Sequence, residues 1–401
     1  MRSYRTLFRT PEFTPFLLSF AASAAAQTIG GLALATLVFR ATGSPLLSAL
    51  SMFGPQLAQL LGGAFLLSGA DRLPPRAILT GLALVYAAAT AVLALPGLPV
   101  AAVFAVVLGE GLITALGGGV RGGLLNDILN KDGNSGYVLG RSVYNMVWGV
   151  VQMGGFAVGG ALLLFLSPRG CLLFAAVLYV VSALVTRLGI TDRPARAGGR
   201  PSFSASWRTN ALLWSSRPRR LAYLGLWVPN GLVVGGDSLY VSYAPSAAGT
   251  LYAVGALGMF VGDMAVGRLV PPGVRSRLAT PLRLLLAVPY LFFFLRPGVV
   301  LSAVAVGVAS VGYAASLVLQ ERLMALTPDE LSGQALGLYG TGMAAFQGVG
   351  AVVAGTLAQL ASPAVGMSLV AGGSVVVTVG LARAGVSREG AGVLPGSAAR
   401  E

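Results

Sequence analysis

Two acidic residues lie inside apolar segments that are long enough to cross a bilayer. Glu110 has a glycine on either side, and Asp237 follows a pair of glycines. An ionised side chain in hydrocarbon costs roughly 3 kcal/mol on insertion scales, so a residue of this kind is by default a functional candidate. A carboxyl group removed from water also holds its proton more strongly. We therefore predict that Glu110 and Asp237 are cavity residues that bind protons, with a structural carboxylate as the alternative for each.

The composition indicates a membrane protein. The chain has 401 residues, of which 55% are hydrophobic and only 10% are charged. Soluble domains carry about 25% charged residues, and a soluble chain with so few could not cover its surface. A spanning helix needs about 20 apolar residues, so this length can hold about twelve of them with short loops.

Polar side chains at helical spacing extend the candidate site. Glu110 and Thr114 are four residues apart on one helical face, and Asn230 and Asp237 are seven apart on another. Pro229 removes a backbone donor from the second segment, and broken helices at this depth are typical of transporter sites, although a simple kink is the alternative. Polar and aromatic residues in other apolar segments complete the predicted substrate cavity: Gln27, Tyr144, Gln152, Tyr313 and Gln347. Aromatic residues at this spacing also serve helix packing.

The remaining charges and motifs exclude several classes of function. The net charge is +14, but the basic residues lie between apolar runs rather than along one soluble face, which argues against nucleic acid as a partner. The sequence has no histidine, so Ser-His-Asp catalysis and histidine metal sites are excluded. No phosphate-binding Gly-x4-Gly-Lys-Ser/Thr motif is present. We expect no enzyme activity, no metal and no cofactor.

A third acidic residue, Asp263, precedes Arg268 by five residues in the sequence. Asp263 is expected to pair locally with Arg268.

The apolar segments predict twelve helices, with boundaries good to a few residues. They are expected at about 13–39, 46–69, 77–95, 100–120, 137–166, 171–189, 221–243, 248–268, 279–295, 299–319, 333–361 and 364–383. Seven arginines fall between Thr191 and Arg220, and this basic stretch divides the chain. The predicted units are a first half at 1–190, a linker at 191–220, a second half at 221–385 and a tail at 386–401. The linker is either a helix on the membrane surface or a loosely ordered loop.

The distribution of arginine predicts the orientation. Nearly all basic residues fall on the side that carries the N-terminus, the linker and the C-terminus, and basic loops are typical of the cytoplasmic face. The first apolar run is too long for a signal peptide, so we expect an uncleaved first helix.

The two halves also share residues in one register. Tyr144, Gln152 and the pair Ser167-Pro168 each have an identical partner 195 residues later, at Tyr339, Gln347 and Ser362-Pro363. Parallel six-helix repeats are the internal symmetry of one large class of transporters.

With this symmetry and linker, the chain resembles the major facilitator superfamily over nearly its whole length. The family's loop pattern between helices two and three is roughly Gly-x-x-x-Asp-Arg-x-Gly-Arg-Arg. Asp71, Arg72 and Arg76 match it, whereas Leu67 and Pro74-Pro75 depart from it. The resemblance implies an all-α membrane protein with 12 transmembrane helices in two pseudo-symmetric six-helix bundles. It also implies that helices one, four, seven and ten line the cavity, and that the matching loop residues form a conformational latch.

The resemblance further implies a function. The glycines at 154–160 resemble the motif of the family's antiporters, although Gly155 stands where those have proline. In overall look the chain is closest to the bacterial subgroup that exports drugs or siderophores. This implies a proton-coupled secondary transporter that works by alternating access and exports small amphipathic molecules. Its expected partners are the substrate, protons and the lipid bilayer, and it is expected to be a monomer in the bacterial plasma (inner) membrane.

Two alternatives remain open. A uniporter or symporter for sugars or other metabolites would accumulate its substrate inside cells. A sensor with the shape of a transporter would bind a ligand without moving it across the membrane.

Overall fold

The computed structural model describes residues 7–70, 74–129, 136–194, 203–328 and 331–389, and within these ranges the fold is all-helical. The first six helices are α1 (Phe13–Thr42), α2 (Pro45–Ala70), α3 (Pro75–Leu93), α4 (Val100–Leu129), α5 (Gly136–Phe165) and α6 (Pro168–Gly189). A linker helix, α7 (Phe203–Ser215), follows. The later helices are α8 (Arg217–Asp237), α9 (Tyr240–Tyr243), α10 (Ala248–Met264), α11 (Pro272–Ala287), α12 (Val299–Val311), α13 (Ala315–Ala325), α14 (Ser332–Leu360) and α15 (Pro363–Glu389).

Nine helices in the described part of the chain are long and apolar enough to cross a membrane. This confirms a multi-pass membrane protein. The helices α2, α4 and α8 are not among the nine. The full set of twelve spans therefore stays a prediction.

Several predicted continuous helices are interrupted. The predicted span 221–243 is divided into α8 and α9, and the division falls directly after Asp237 rather than at Pro229, through which α8 continues. A π-helical turn, Ala265–Leu269, follows α10. A 3₁₀ segment, Val288–Leu295, follows α11, and a 3₁₀ turn, Gly312–Ala314, separates α12 from α13. Such irregular turns often mark functional positions in helices.

The helices pack as two groups. Helix α1 packs against α2, α5 and α6, and α4 packs against α2 and α3. In the second group α8 packs against α14 and α15, and α10 packs against α12. The main contacts between the groups are those of α2 with α14 and of α5 with α10. This grouping agrees with the predicted halves, whose boundaries remain a prediction.

The two groups meet at one end of the molecule, which we call the closed end. It carries the loops at 43–44, 166–167, 244–247 and 361–362. A Cβ atom added to Gly160 would lie 2.3 Å from the Cα atom of Gly249, so only glycine permits this approach of α5 to α10. On the other contact the Ser44 hydroxyl donates a 2.8 Å hydrogen bond to Oε1 of Gln359. Glycine and serine at such interfaces let membrane helices pack closely.

The opposite end, which we call the linker end, carries the linker helix α7. This segment is helical, and it docks on the second group. The side-chain amide of Gln334 on α14 donates to Oδ1 of Asn210 at 2.8 Å. Leu213 is fully buried, and the Trp214 ring stacks on Trp227 with 5.7 Å between centroids. The linker residues at 195–202 lie outside the described ranges.

The docking of α7 predicts that Trp214→Ala exposes the linker to protease. Loss of the stacked ring removes apolar contact worth about 1–3 kcal/mol for a partly buried aromatic side chain. We expect trypsin to cleave the arginine-rich linker several times faster in this variant. Leu212→Ala is the control, because Leu212 is 53% exposed and its loss leaves the docked face intact. Equal cleavage rates in both variants would contradict the docking.

Candidate functional site

A cavity of about 350 Å³ lies between the two groups of helices. Helices α2 and α5 line it from the first group, and α8, α10, α13 and α14 line it from the second. The structure brings together five of the predicted site residues here: Gln152, Asn230, Asp237, Tyr313 and Gln347. They come from four separate helical segments, so only the folded chain forms this site.

Asp237 lies at one end of the cavity inside a cage of tyrosine hydroxyls. Its Oδ1 accepts hydrogen bonds from Tyr240 at 2.7 Å and from Tyr290 at 2.5 Å. Its Oδ2 accepts one from Tyr313 at 2.7 Å, and the Tyr252 hydroxyl donates to its backbone carbonyl at 2.9 Å. Both carboxylate oxygens therefore have donors, which stabilises the charged form of a group that faces little bulk water.

The helix interruptions position this cage. Asp237 is the last residue of α8, and Tyr240 is the first residue of α9. Tyr290 lies in the 3₁₀ segment after α11, and Tyr313 lies in the 3₁₀ turn before α13. In a regular α-helix, successive side chains point about 100° apart around the helix axis. The local changes in winding alter these directions, and they allow four segments to converge on one carboxylate.

The cage can accommodate both protonation states of Asp237. When the carboxyl group is protonated it becomes a hydrogen-bond donor. The Tyr240 and Tyr290 hydroxyls also contact each other, so one hydroxyl can donate to the other while it accepts a hydrogen bond from the protonated carboxyl group of Asp237. The arrangement can therefore take up and release one proton without leaving a buried donor unpaired, which would otherwise be costly.

A second polar pair involves Asn230, which lies earlier in α8 than Asp237. Gln347 on α14 donates from Nε2 to Oδ1 of Asn230 at 3.2 Å, and both residues line the cavity. Asn230 is seven residues before Asp237, which is about 10 Å along the helix axis. The pair therefore links α8 to α14 between Asp237 and the linker end.

Near the linker end, Asp263, Gln320 and Tyr339 line the cavity. Gln320 donates from Nε2 to the hydroxyl of Tyr339 at 3.0 Å. Within the described ranges Asp263 has no ion pair, so the expected pairing with Arg268 is wrong. Asp263 is the next-to-last residue of α10, whereas Arg268 lies in the π-helical turn that follows. The wider winding of that turn changes the direction of the Arg268 side chain relative to Asp263. Asp263 is instead an exposed residue that lines the cavity.

Glu110 occupies a different place. It lines a separate cavity of about 70 Å³ within the first group, together with Gln27, Thr90 and Tyr179. The atom Oε1 of Glu110 is buried and has no hydrogen-bond partner in the described part of the chain. The structure thus places the two predicted acidic residues in two cavities rather than one.

The other predicted residues lie outside the large cavity's lining. The Thr114 hydroxyl donates to the backbone carbonyl of Glu110 at 2.7 Å and contacts Tyr86. The ring of Tyr144 stacks on Phe20 with 4.0 Å between centroids. Asp71 and Arg72 lie outside the described residues, and Arg76 lies in the first turn of α3. The predicted latch thus remains a prediction.

Comparison with solved structures reveals the same fold in known transporters. A variant of the nucleoside transporter NupG is 14% identical with a TM-score of 0.67, over 93% of this chain and 99% of that one. A variant of the peptide transporter POT with alafosfalin is 14% identical with a TM-score of 0.69, over 96% and 99%. The human organic anion transporter MFSD10 is 18% identical with a TM-score of 0.64, over 92% and 99%.

The chain shares the fold of these three transporters. At these identities the likeness shows the fold alone, and each of these neighbours is described as a transporter rather than an enzyme. No family model matches the sequence, and no curated protein matches it. In transporters built from repeats, substrate and coupling-ion sites lie at the interface between the repeats. The large cavity lies between the two groups of helices, whereas the smaller cavity of Glu110 lies within the first group.

The cage predicts that Tyr313→Phe destabilises the protein through Asp237. The change removes the hydroxyl that donates to Oδ2, and a hydrogen bond to a charged group contributes about 1.5–3 kcal/mol. We expect a lower thermal unfolding temperature in detergent for Tyr313→Phe alone. In an Asp237→Asn background the same change should have a much smaller effect, because the charge is absent. Tyr179→Phe, a buried change beside the other cavity, should be insensitive to Asp237→Asn. Additive effects of the Tyr313 and Asp237 changes would contradict the cage.

Proposed function

We propose that this chain is a secondary active transporter that works by alternating access, with Asp237 as its proton-coupling residue. The observation that carries the proposal is the Asp237 cage, which lies in a cavity shared by both groups of helices. In the proposed architecture, twelve spanning helices form two six-helix bundles, at 1–190 and 221–385. The linker at 191–220 joins them, and 386–401 is a tail.

The packing supports alternating access. The named contacts between the two groups, Gly160 with Gly249 and Ser44 with Gln359, lie at the closed end. The cavity extends from Asp237 toward the linker end, where Gln320 and Tyr339 line it. This is the arrangement of a transporter open on one side. With the linker on the cytoplasmic face, the state is open to the cytoplasm.

The cage supports exchange of a proton for a substrate. A substrate that contacts the carboxylate of Asp237 competes with the proton on that group. Each return of the protein through the other orientation would then carry a proton in the opposite direction, which is antiport. The form of this exchange that we propose is proton-coupled efflux of small amphipathic molecules across the bacterial plasma membrane by a monomer. The neighbours include transporters of nucleosides, peptides and organic anions, so their fold supports transport without fixing the substrate or the direction.

Proton coupling predicts release of protons when a substrate binds. Purified protein in weakly buffered detergent would receive a panel of amphipathic compounds, and the pH would be recorded. We expect release from the wild type and none from Asp237→Asn. Glu110→Gln should retain release, because Glu110 lies outside the shared cavity.

The control for the same chemical change is Glu321→Gln, since Glu321 is an exposed carboxylate paired with Arg275 at 3.9 Å. Binding without release in the wild type would exclude proton exchange and favour a uniporter or a sensor. Release that is lost only in Glu110→Gln would move the coupling role to the smaller cavity.

Alternating access predicts that a covalent link across the closed end stops transport. Cys171 is the only cysteine and is buried, so a Cys171→Ser background leaves engineered pairs as the reactive thiols. We expect a Ser44→Cys and Gln359→Cys pair to cross-link with a short bismaleimide and to lose flux in proteoliposomes, while binding of substrate from the linker end persists. Each single cysteine variant is the control. Full flux in a fully cross-linked protein would contradict the mechanism.

A further inference from the structure

We propose that the cavity selects organic cations, and that Asp263 forms an outer subsite where the cationic group docks before it reaches Asp237. This deepens the proposed function and rests on it. Three features of the cavity support cation binding: the negative charge of its lining, the separation of its two carboxylates and the aromatic side chains between them. The family resemblance implied only that the substrates are small and amphipathic, and did not specify their charge.

The charge of the cavity is opposite to that of the chain. The whole sequence has 27 basic and 13 acidic residues. Among the described residues that line the cavity, however, two are acidic, Asp237 and Asp263, and none is basic. A cleft lined by one sign of charge within low-dielectric walls raises the local concentration of the opposite charge. The same field opposes an anion, to which none of the described lining residues offers a positive charge.

Asp263 is available to a ligand. Its side chain is exposed in the cavity, and no described residue neutralises it. The neighbouring Gln320 and Tyr339 are occupied with each other, which leaves the tyrosine ring facing the same space. A carboxylate beside an aromatic ring provides an ion pair and a cation–π contact for one ammonium group.

The two carboxylates lie at different depths. Tyr252 contacts Asp237 through its hydroxyl, and Asp263 follows Tyr252 by eleven residues on α10. Eleven residues of α-helix correspond to about 16 Å along the axis. One cationic group therefore cannot contact both carboxylates at once. It meets Asp263 first, from the linker end, and Asp237 afterwards.

Aromatic rings line the path between these two positions. Phe156 and Tyr252 stack with 4.6 Å between centroids, and Trp148 lies on the same side of the cavity. Faces of such rings attract cations and also bind apolar groups. The favoured ligand is thus a cation with an apolar body, such as a quaternary ammonium or a protonated aromatic amine.

Arrival of the cation at Asp237 explains how the proton leaves. The carboxyl group gives its proton to water as the cation takes its place, so the charge of the site is the same before and after the exchange. An uncharged substrate would leave the carboxylate without a counter-ion. An anion would add a second negative charge beside it.

The test compares ligands that differ in charge but little in shape. Proteoliposomes with a pH gradient, and with the membrane potential clamped by valinomycin and equal potassium, would receive radiolabelled trimethylphenylammonium. Competitors would be its neutral isostere tert-butylbenzene and the anion benzenesulfonate, and tetraphenylphosphonium would serve as a larger cation. We expect saturable flux of the two cations and competition between them. The neutral compound and the anion should have no effect.

Variants separate the two subsites. Asp263→Asn should raise the KM for trimethylphenylammonium about fivefold, the scale of one exposed ion pair, with little change in kcat. Asp237→Asn should abolish flux driven by the pH gradient. Glu321→Gln makes the same chemical change outside the cavity and should match the wild type. An unchanged KM in Asp263→Asn would overturn the outer subsite.

The outcomes also distinguish this inference from the proposed function. If neutral or anionic members of the amphipathic panel release protons and move across the membrane while cations do not, the transporter assignment stands and the cation selectivity is wrong. If no compound of any charge releases protons or crosses the membrane, the proposed function itself fails. Flux of cations that persists in Asp237→Asn would separate selectivity from proton coupling.

Discussion

The site depends on one constraint: a carboxylate away from bulk water must have hydrogen-bond donors or a counter-ion. Asp237 has three tyrosine hydroxyls on its oxygens and no cation beside them in the described part of the chain. Hydroxyls differ from arginine or lysine in one important respect, because they can also accept a hydrogen bond from a protonated carboxyl group or turn away. A salt bridge would favour the charged form of Asp237, whereas the hydroxyl cage accommodates both protonation states, as the proposed cycle requires.

This constraint accounts for the irregular helices. Three hydroxyls converge on Asp237 because a helix break and two 3₁₀ segments change the direction of the side chains that carry them. Irregular backbone within a membrane is tolerated where it is covered by protein or lines a cavity, since its polar groups need partners. Tyr243 illustrates the compensation, because its hydroxyl donates to the carbonyl of Pro297 at 2.8 Å. The irregularity and the polar cavity therefore support each other.

The sequence allowed the helical class, the fold resemblance and Asp237 to be predicted, because apolar length and a lone acidic residue are local signals. It did not predict Tyr240 or Tyr290, since their role depends on winding changes that hydrophobic periodicity does not record. It also grouped Glu110 with Asp237, although they lie in separate cavities. The face of a helix is readable from spacing, but the neighbour that this face meets depends on contacts between distant segments.

Helix α14 connects three regions that move together in the proposed cycle. Near the start of α14, Gln334 contacts Asn210 of the linker helix. In its middle, Gln347 contacts Asn230 in the cavity. Near its end, Gln359 contacts Ser44 at the closed end. From Gln334 to Gln359 is about 38 Å of continuous helix, which transmits a tilt along its length. Opening of the closed end therefore cannot leave the cavity or the linker helix unchanged. In the proposed cycle, α14 is the rigid helix that couples the cavity to the closed end, with a polar contact at each of the three regions.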